Sequence, residues 1–238
     1  MTNKEFVQKL INIATNYKTL YVMGCFGSPM TDERKRYMIN HHSYNANPTR
    51  TKMINSASAD TFGFDCVCLI KGVLWGWNGN MNHAHGGAKY VSNGVPDIDA
   101  DMMIAKCTDI STDFNNIEVG EAVWCPGHIG VYIGDGLAVE CTPSWKNCVQ
   151  ITSCNCAKSG YNRRNWTKHG KLPYITYEKE NVNMKFKDVP ETHWAYEAIE
   201  ELSEMGIING YEDGTFKPDE SVTRAELATM LDRYINKK

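Results

Sequence analysis

Three residues of this chain carry the functional groups of a nucleophilic amide hydrolase. Cys66 follows an aspartate in the apolar run FDCVCLI, and His128 and Glu140 both lie in EVGEAVWCPGHIGVYIGDGLAVECTP. A thiolate can attack a carbonyl carbon, an imidazole can hold the thiol proton and give it to the leaving amine, and a carboxylate can orient the imidazole. Such side chains need to be neighbours only in the folded chain, so their separation in sequence is no objection.

The sequence predicts a helix that begins at Cys66, because Asp65 is a favourable N-cap residue and an apolar run follows it. In the first helical turn the helix dipole lowers the pKa of a thiol and favours the thiolate. Cys68 lies roughly 200° further round the helix, so we expect it to point away from any cleft and to act as a small hydrophobic residue. A lone cysteine in such a run is more often part of the core, and it is the combination with His128 and Glu140 that favours catalysis.

Two strands joined by a tight turn are predicted around the GDG sequence at 134–136, because apolar and polar residues alternate on both sides of it. A two-residue loop would pair Ile133 with Ala138 and mix the apolar face of one strand with the polar face of the other. A three-residue loop pairs Ile133 with Leu137, keeps the apolar faces together and leaves a glycine for a bulge.

This register brings the polar residues of the two strands onto one face. Val131 pairs with Val139, and Gly130 faces Glu140. Glu140 is then the diagonal neighbour of His128, within reach of its side chain. Gly130 is expected to leave the space between them open.

Two segments before Cys66 frame the predicted site. The first residues of the chain predict a helix from about residue 3 to residue 16, with Thr2 and Glu5 as a capping box. Residues 28–60 are rich in Asn, Ser, Thr, Arg and His, and we expect them to form a long surface insertion.

The composition excludes several classes of protein. The 238 residues are 42% hydrophobic and carry a net charge of −3, whereas a nucleic-acid-binding protein is usually more basic. No window approaches the roughly 18 consecutive apolar residues of a membrane span. The N-terminal stretch MTNKEFVQKLINIATNYK lacks the apolar region of a signal peptide, so we expect synthesis in the cytoplasm without a leader.

The nine cysteines are expected to be free thiols. A disulfide framework is typical of small secreted domains, whereas this chain is large and has no evident signal peptide. Four cysteines form a cluster, at positions 141, 148, 154 and 156, but their spacing matches no standard zinc pattern. We therefore expect neither a structural metal nor a cofactor.

The chain is predicted to divide into a domain over residues 1–177, a polar linker over 178–184 and a small C-terminal module over 185–238. In the module, apolar residues at helical spacing end at Gly206, and a turn-rich segment follows. Thr223 and Glu226 then form a capping box for a second helix. About fifty residues are marginal for independent stability, so we expect the module to pack against a copy of itself or another module.

The C-terminal module resembles an S-layer homology (SLH) repeat. The resemblance covers nearly all of residues 185–235 and includes the HWA start, the GIINGYEDGTFKPD loop and TRAE at 223–226. It implies non-covalent attachment to secondary cell-wall polysaccharide, often through pyruvylated sugars. The family usually carries three tandem repeats arranged as a pseudo-trimer, so a single repeat favours a homotrimer through residues 185–238, with a weakly binding monomer as the alternative.

Two residues of the module are candidates for polymer binding. Arg224 is a permanent cation with a planar donor fork, which suits a sugar carboxylate. Trp194 could stack on a pyranose ring. The alternatives are that Arg224 pairs with a nearby acid and that Trp194 fills the core between the two helices.

The N-terminal domain resembles the NlpC-type cell-wall cysteine peptidases in FDCVCLI followed by GHIGVYIGDG. This resemblance implies a papain-like α+β fold, in which a helix that starts with a cysteine packs on an antiparallel sheet. It also implies that Cys66 is the nucleophile, His128 the base and Glu140 the third member. Cys68 stands where the family often has glycine, and Glu140 where histidine is commoner.

A further stretch, TLYVMGCFG, is similar to the Tyr-x-x-Gly-Gly stretch of the same family, with Cys25 in place of the second glycine. The similarity implies that Tyr21 helps to shape the oxyanion site beside the Cys66 amide. The insertion over residues 28–60 separates Tyr21 from Cys66 unusually far along the sequence.

Together the two resemblances predict a peptidoglycan hydrolase of the endolysin type that is anchored to the wall. The target would be an amide, either the γ-D-glutamyl–diamino-acid bond of the stem peptide or the muramoyl–alanine bond. Without a leader, the enzyme would reach the wall of a Gram-positive-type host through holes in the membrane. The candidates to line the substrate groove are Trp75, Trp77, His83 and His85, and a tryptophan-rich core edge beside an exposed loop is the alternative.

Two other functions remain open from the sequence. One is an inactive wall-binding protein whose catalytic-like domain serves only as a scaffold. The other is a zinc amidase that uses a cysteine with histidines at 41, 42, 83 or 85, although the chain has no HExxH-type motif.

Overall fold

A computed structural model describes residues 1–178 and 186–236 of the chain. The chain divides into two compact units, residues 1–178 and 179–238. The predicted linker, residues 178–184, lies outside the described residues apart from Glu178.

The first unit is of the mixed α+β class. Its helices are α1 (Asn3–Asn16), α2 (Asp32–His41), α3 (Pro48–Ser56), α4 (Cys66–Leu74) and α5 (Ala100–Lys106), with one 3-10 turn at Phe114–Asn116. Its strands are β1 (Thr19–Tyr21), β2 (Phe26–Pro29), β3 (Phe62–Phe64), β4 (Thr108–Ser111), β5 (Ala122–Cys125), β6 (His128–Gly134), β7 (Leu137–Thr142), β8 (Cys148–Cys154), β9 (Arg163–Arg164) and β10 (Lys168–Lys171).

These strands form two sheets. The smaller sheet has the order β1-β3-β2, and β1 runs parallel to β3. The larger sheet has the order β4-β10-β5-β6-β7-β8-β9, and its central strands β5 to β8 are antiparallel. The main core of the unit joins one face of this sheet to α1 and α4.

The N-terminal helix confirms the prediction from the sequence. α1 starts at Asn3 and ends at Asn16, and both hydrogen bonds of the Thr2–Glu5 capping box are present. Phe6 and Leu10 are fully buried on its inner face, as the helical spacing of its apolar residues requires.

Residues 28–60 lie mostly at the surface, as their polar composition predicts, but they are folded rather than an open loop. They contain α2 and α3 and contribute Met30, Met38 and Ile54 to a small apolar cluster that also includes Val22 and Cys25. Arg50 of α3 is also buried and donates hydrogen bonds to the carbonyl oxygen of Tyr21 and to Asn147. The segment is therefore a folded excursion between β1 and β3, and it supports the backbone beside the candidate site.

The β6–β7 hairpin confirms the register at the candidate site but not the predicted turn. Gly130 pairs with Glu140, while Gly134, rather than Ile133, pairs with Leu137. Residues 135 and 136 form a two-residue turn, and both have positive φ angles, 51° and 64°, which suits the twist of a hairpin. The register shifts between Tyr132 and Gly134, so the extra residue forms a bulge in β6. The prediction had placed this extra residue in a three-residue loop.

The second unit contains two helices around a small core. These are α6 (Tyr196–Glu204) and α7 (Arg224–Asn236), and the buried residues of the core are Phe186, Val189, Ile199, Ile207 and Ile208. The predicted capping box at Thr223 and Glu226 is present, with backbone amides of each residue bonded to the side chain of the other. None of the helices in the described residues is long and apolar enough to cross a membrane.

The first unit holds an unusual number of buried thiols, which makes its stability sensitive to alkaline pH. All nine cysteines are free, and burial raises the pKa of Cys66, Cys107 and Cys154 to about 12. In the unfolded chain a thiol titrates near pH ~8.5. Below pH ~8.5 these thiols are protonated in both the folded and the unfolded chain, and the stabilising effect of the raised pKa is complete. As the pH rises towards 12, the free energy of unfolding falls by about 1.4 kcal/mol per pH unit for each such thiol.

We expect the urea midpoint of the reduced protein to fall steeply between pH 8 and 10. Cys107→Ala should lower stability at neutral pH by creating a cavity, but it should also make the decline with pH shallower, because one titrating thiol is removed. A midpoint that stays constant across this range would contradict the burial of protonated thiols.

Candidate active site

Cys66 lies at the N-terminus of α4, as the sequence predicts. Asp65 is the N-cap residue, and its Oδ1 accepts a hydrogen bond from the Cys68 amide at 2.7 Å. Its Oδ2 accepts a second hydrogen bond, also at 2.7 Å, from the Gly24 amide. One carboxylate thus fixes the start of the helix and ties it to the segment after β1.

The protonation state of Cys66 is opposite to the expectation from the helix dipole. The thiol is 8% exposed. Burial, together with the negative charge of Asp65, raises its pKa to about 12, although backbone hydrogen bonds at Ile129, Val67 and Cys66 itself act in the other direction. Desolvation therefore outweighs the dipole, and the resting side chain is a neutral thiol at pH 7.

His128 and Glu140 form the pair that the register predicts. Nε2 of His128 lies 2.7 Å from Oε2 of Glu140. Since a carboxylate is only an acceptor, Nε2 is the ring nitrogen that donates a proton to Glu140. Nδ1 is the ring nitrogen that does not contact the carboxylate.

Glu140 is fully buried and has two further partners that the sequence did not indicate. Arg164 of β9 donates to both of its carboxylate oxygens, with Nη2 2.7 Å from Oε2, and the Thr152 hydroxyl lies 2.7 Å from Oε1. Burial alone would raise the pKa of Glu140, but the hydrogen bonds and charges of His128 and Arg164 outweigh it and hold the pKa below its ordinary value. The carboxylate is therefore ionised.

The expected open space beside Gly130 is occupied. The Trp166 ring stacks on the His128 ring with a centroid separation of 5.5 Å and an interplanar angle of 9°. A Cβ added to Gly130 would lie 3.0 Å from the Trp166 ring and 2.8 Å from the Val139 carbonyl oxygen. The glycine is therefore needed for the close approach of an aromatic ring that holds the imidazole plane.

Cys66 and Ile129, the residue that follows His128, belong to the same apolar cluster, and α4 packs against β6. Among residues 1–178, no hydrogen bond joins the thiol to the His128 ring, whereas the His128–Glu140 arm is fully formed. Catalytic hydrogen bonds are often long before substrate binds, so a missing hydrogen bond between thiol and imidazole is compatible with a catalytic pair.

Tyr21 lies near Cys66 despite the long separation in sequence. β1 and β3 are parallel neighbours, Tyr21 is aligned with Phe64, and Cys66 is two residues further on. The Tyr21 side chain is 5% exposed, and burial, followed by the charges of Cys66 and Asp65, raises its pKa far above the ordinary value. It is thus a neutral phenol that lines the same cleft as the thiol.

This cleft has a volume of about 1310 Å³. Its lining includes Cys66 and His83, and also Cys68, which we expected to point away. The cleft extends along the start of α4 as far as Lys71. Cys66 and Cys68 therefore both line it, although they lie on different sides of the helix.

Trp75 and Trp77 belong to the core rather than to the cleft. They are 1% and 5% exposed, and their indole N–H groups donate to the carbonyl oxygens of Val95 and Gly27, each at 2.9 Å. The prediction that they line a substrate groove is wrong, because the turn after α4 folds both rings inward against other aromatic residues.

No group of three or more His, Cys, Asp or Glu side chains in the described residues is arranged to hold a metal ion. The histidines at 41 and 85 are instead hydrogen bonded to the Tyr37 carbonyl oxygen and the Ser28 hydroxyl. The residues proposed for a zinc amidase therefore do not converge.

The two candidate polymer-binding residues of the second unit are both on its surface. Trp194 is 89% exposed, so it does not fill the core between the helices. Arg224 is the first residue of α7, is exposed, and has no ion-pair partner among residues 186–236.

Similarity to known proteins is clear for the second unit. Residues 185–228 match the family model described as S-layer homology domain. The chain is 45% identical over 58 residues to a cellulosome-anchoring protein of Acetivibrio thermocellus, an alignment that covers 24% of this chain and 13% of that protein. It is also 46% identical over 52 residues to cell surface glycoprotein 1 of the same organism, covering 22% of this chain and 2% of that protein.

A third relative is the S-layer protein sap of Bacillus anthracis, which is 43% identical over 51 residues, or 21% of this chain and 6% of that protein. The chain thus spans only a small part of the curated relatives it matches. The shared part is the length of one module, and residues 185–228 are an S-layer homology domain.

Proposed function

We propose that the protein is a peptidoglycan hydrolase of the NlpC type, with a papain-like catalytic domain, and that it cleaves an amide bond of the stem peptide. The observation that carries this proposal is the hydrogen-bonded set of His128, the buried Glu140 and Arg164, on strands of the sheet against which the helix that begins at Cys66 packs. A structural histidine has no need of an ionised, fully buried carboxylate that is itself held by an arginine. An array of this kind orients a base.

The first step is attack by sulfur. The Cys66 thiol is protonated at rest, so Nδ1 of His128 takes the proton as the thiol attacks the substrate carbonyl carbon. Glu140, ionised and bonded to Nε2, stabilises the imidazolium that forms. The oxyanion lies by the Cys66 amide at the start of α4, with Tyr21 shaping the site.

The second step releases the amine. The imidazolium gives its proton to the leaving nitrogen, the carbon–nitrogen bond breaks and an acyl-thioester remains on Cys66. Water then attacks the thioester, with His128 again accepting a proton, and the acid product leaves with the thiol restored.

The SLH domain supplies attachment in this proposal. It binds the secondary polysaccharide of the cell wall, with Arg224 contacting a sugar carboxylate and Trp194 stacking on a ring. Among the relatives, the name cellulosome-anchoring protein describes an anchoring role. Attachment of this kind would keep the catalytic domain close to its substrate, and the protein acts at a Gram-positive-type wall.

A turbidity assay on purified cell walls tests the proposed activity. We expect the wild-type protein to clear the suspension, and we expect clearing to continue in the presence of a chelator because the nucleophile is a thiol and not a metal-bound water. Loss of clearing on chelation that is restored by zinc would favour the amidase alternative. Wall binding without clearing would favour the inactive scaffold.

A homotrimer through the SLH domain is also proposed. Four apolar side chains of α7 are exposed: Leu227 48%, Leu231 52%, Tyr234 56% and Ile235 66%. These are more apolar groups than a short helix normally leaves in water, and copies of the domain could cover them for each other.

We expect light scattering to give three times the chain mass for the full-length protein and the monomer mass for a 1–180 truncation. A full-length monomer at tens of micromolar concentration would exclude the trimer.

A further inference from the structure

The folded segment of residues 28–60 forms part of the cleft that contains the candidate nucleophile. The cleft lining includes Cys66 and, from this segment, Ser28, Arg34 and His42. The segment therefore brings side chains of its own to whatever binds in front of the thiol.

Arg34 is a half-buried cation in this cleft, and it has no carboxylate partner among residues 1–178 and 186–236. Its guanidinium lies 5.5 Å from the centre of the Tyr37 ring. Its Nη2 lies 3.5 Å from the Ala84 carbonyl oxygen, which is at the limit of a hydrogen bond. Most of its five N–H donors are thus available to a group that enters the cleft.

Three of the four acidic residues of the cleft lining are bonded to groups other than Arg34. Asp65 accepts hydrogen bonds from two backbone amides, Asp97 pairs with Lys71, and Asp99 caps α5 by accepting from a backbone amide. The remaining acid, Glu33, is exposed.

His85 stands close to Arg34 and frames the same part of the cleft. Burial, followed by the positive charge of Arg34, lowers the pKa of His85. Its Nδ1 lies 2.9 Å from the Ser28 hydroxyl, and its ring stacks on Phe26 with a centroid separation of 4.2 Å. The imidazole is therefore neutral at pH 7, and Arg34 supplies the cationic charge here.

We propose that Arg34 is an anion-binding residue of the substrate cleft, and that the preferred substrate is a peptide with a free carboxylate next to the amide that is cut. This inference rests on the proposed hydrolase function. In a stem peptide the group with this chemistry is the α-carboxylate of the γ-linked glutamyl residue, which belongs to the same residue as the carbonyl group of the γ-glutamyl amide. A peptide with a carboxamide in its place offers no charge to the guanidinium fork.

Binding measurements separate this inference from catalysis. Two synthetic alanyl-γ-glutamyl-lysine amide peptides, both with the C-terminal carboxyl group blocked as a carboxamide, are titrated into full-length Cys66→Ala protein in a calorimeter. One has the free glutamyl α-carboxylate and the other has the α-carboxamide. We expect the carboxylate peptide to bind roughly tenfold more tightly. Arg34→Gln in the same background should remove this preference by weakening the carboxylate peptide alone, and Arg34→Lys should restore part of it.

Arg36→Gln is the matched control, because Arg36 lies on the same helix, is exposed and is not part of the cleft lining. It should leave both affinities unchanged. A preference that survives Arg34→Gln, equal binding of the two peptides, or binding of neither would overturn the inference. Failure of the hydrolase proposal has a different signature, which is wild-type protein that binds the carboxylate peptide with the expected preference and does not cut it.

Discussion

Cys66→Ala is expected to abolish the clearing of cell walls, with a residual rate at least about a thousandfold below that of the wild type. The methyl group cannot attack a carbonyl carbon, and neither His128 nor Glu140 can take over that role. Wall binding and folding should be unchanged, because the side chain lies at a helix start and Asp65 still caps α4.

Cys68→Ala provides a matched control for this prediction. The two thiols are buried to nearly the same degree, 8% and 5% exposed, two residues apart in one helix. Their truncation therefore creates similar cavities. Cys68→Ala should keep most of the activity, and an equal loss in both variants with folding preserved would contradict the assignment of the nucleophile.

His128→Ala should be as inactive as Cys66→Ala, since a buried thiol with a pKa of about 12 cannot ionise at neutral pH without a base. Glu140→Gln should lose less activity, because a neutral amide oxygen can still accept the imidazole hydrogen bond. The comparison is made by kcat/KM on a soluble muropeptide. If Glu140→Gln were as inactive as His128→Ala, charge rather than orientation would be the main contribution of this residue.

Arg164→Gln should change the pH dependence of the reaction as well as its rate. Arg164 helps to hold the pKa of the buried Glu140 carboxyl below its ordinary value. Without that charge, burial raises the pKa, so Glu140 is protonated at a higher pH and the acid limb of the kcat/KM profile should move to higher pH. Arg164→Lys should move it less.

Arg163→Gln is the control for Arg164, because Arg163 is the exposed neighbour on β9 and bonds only to Asn165 among the described residues. The acid limb of the kcat/KM profile of Arg163→Gln should coincide with that of the wild type. A uniform fall in rate with an unmoved acid limb in Arg164→Gln would show a merely structural role.

The parts of the site that depend on local sequence could be predicted, and those that depend on distant pairing could not. The Asp65 cap follows from residue type and from the apolar run after it. The alignment of Glu140 with Gly130 follows from alternation, because a slip by one residue would bury polar groups. The turn was predicted wrongly because a bulge at Ile133 keeps the apolar faces together with a shorter loop.

Arg164 had no local signal. It reaches Glu140 only because the two-residue strand β9 pairs with the end of β8 after an irregular loop, and loop paths are not determined by periodicity. Thr152 could have been predicted by the same alternation argument, since every residue of β7 pairs with a residue of β8. The thiol pKa was predicted in the wrong direction because the sequence indicates a helix dipole but not how deeply the helix start is buried.

Mass spectrometry of purified peptidoglycan digested by the wild-type protein and by Cys66→Ala tests the central claim most directly. The account predicts that the wild-type digest contains fragments with a new amino group and a new carboxyl group, produced by hydrolysis of one amide bond in the stem peptide, and that the Cys66→Ala digest contains none. Fragments with new reducing sugar ends in place of new amino groups, or the same fragments from both proteins, would contradict it.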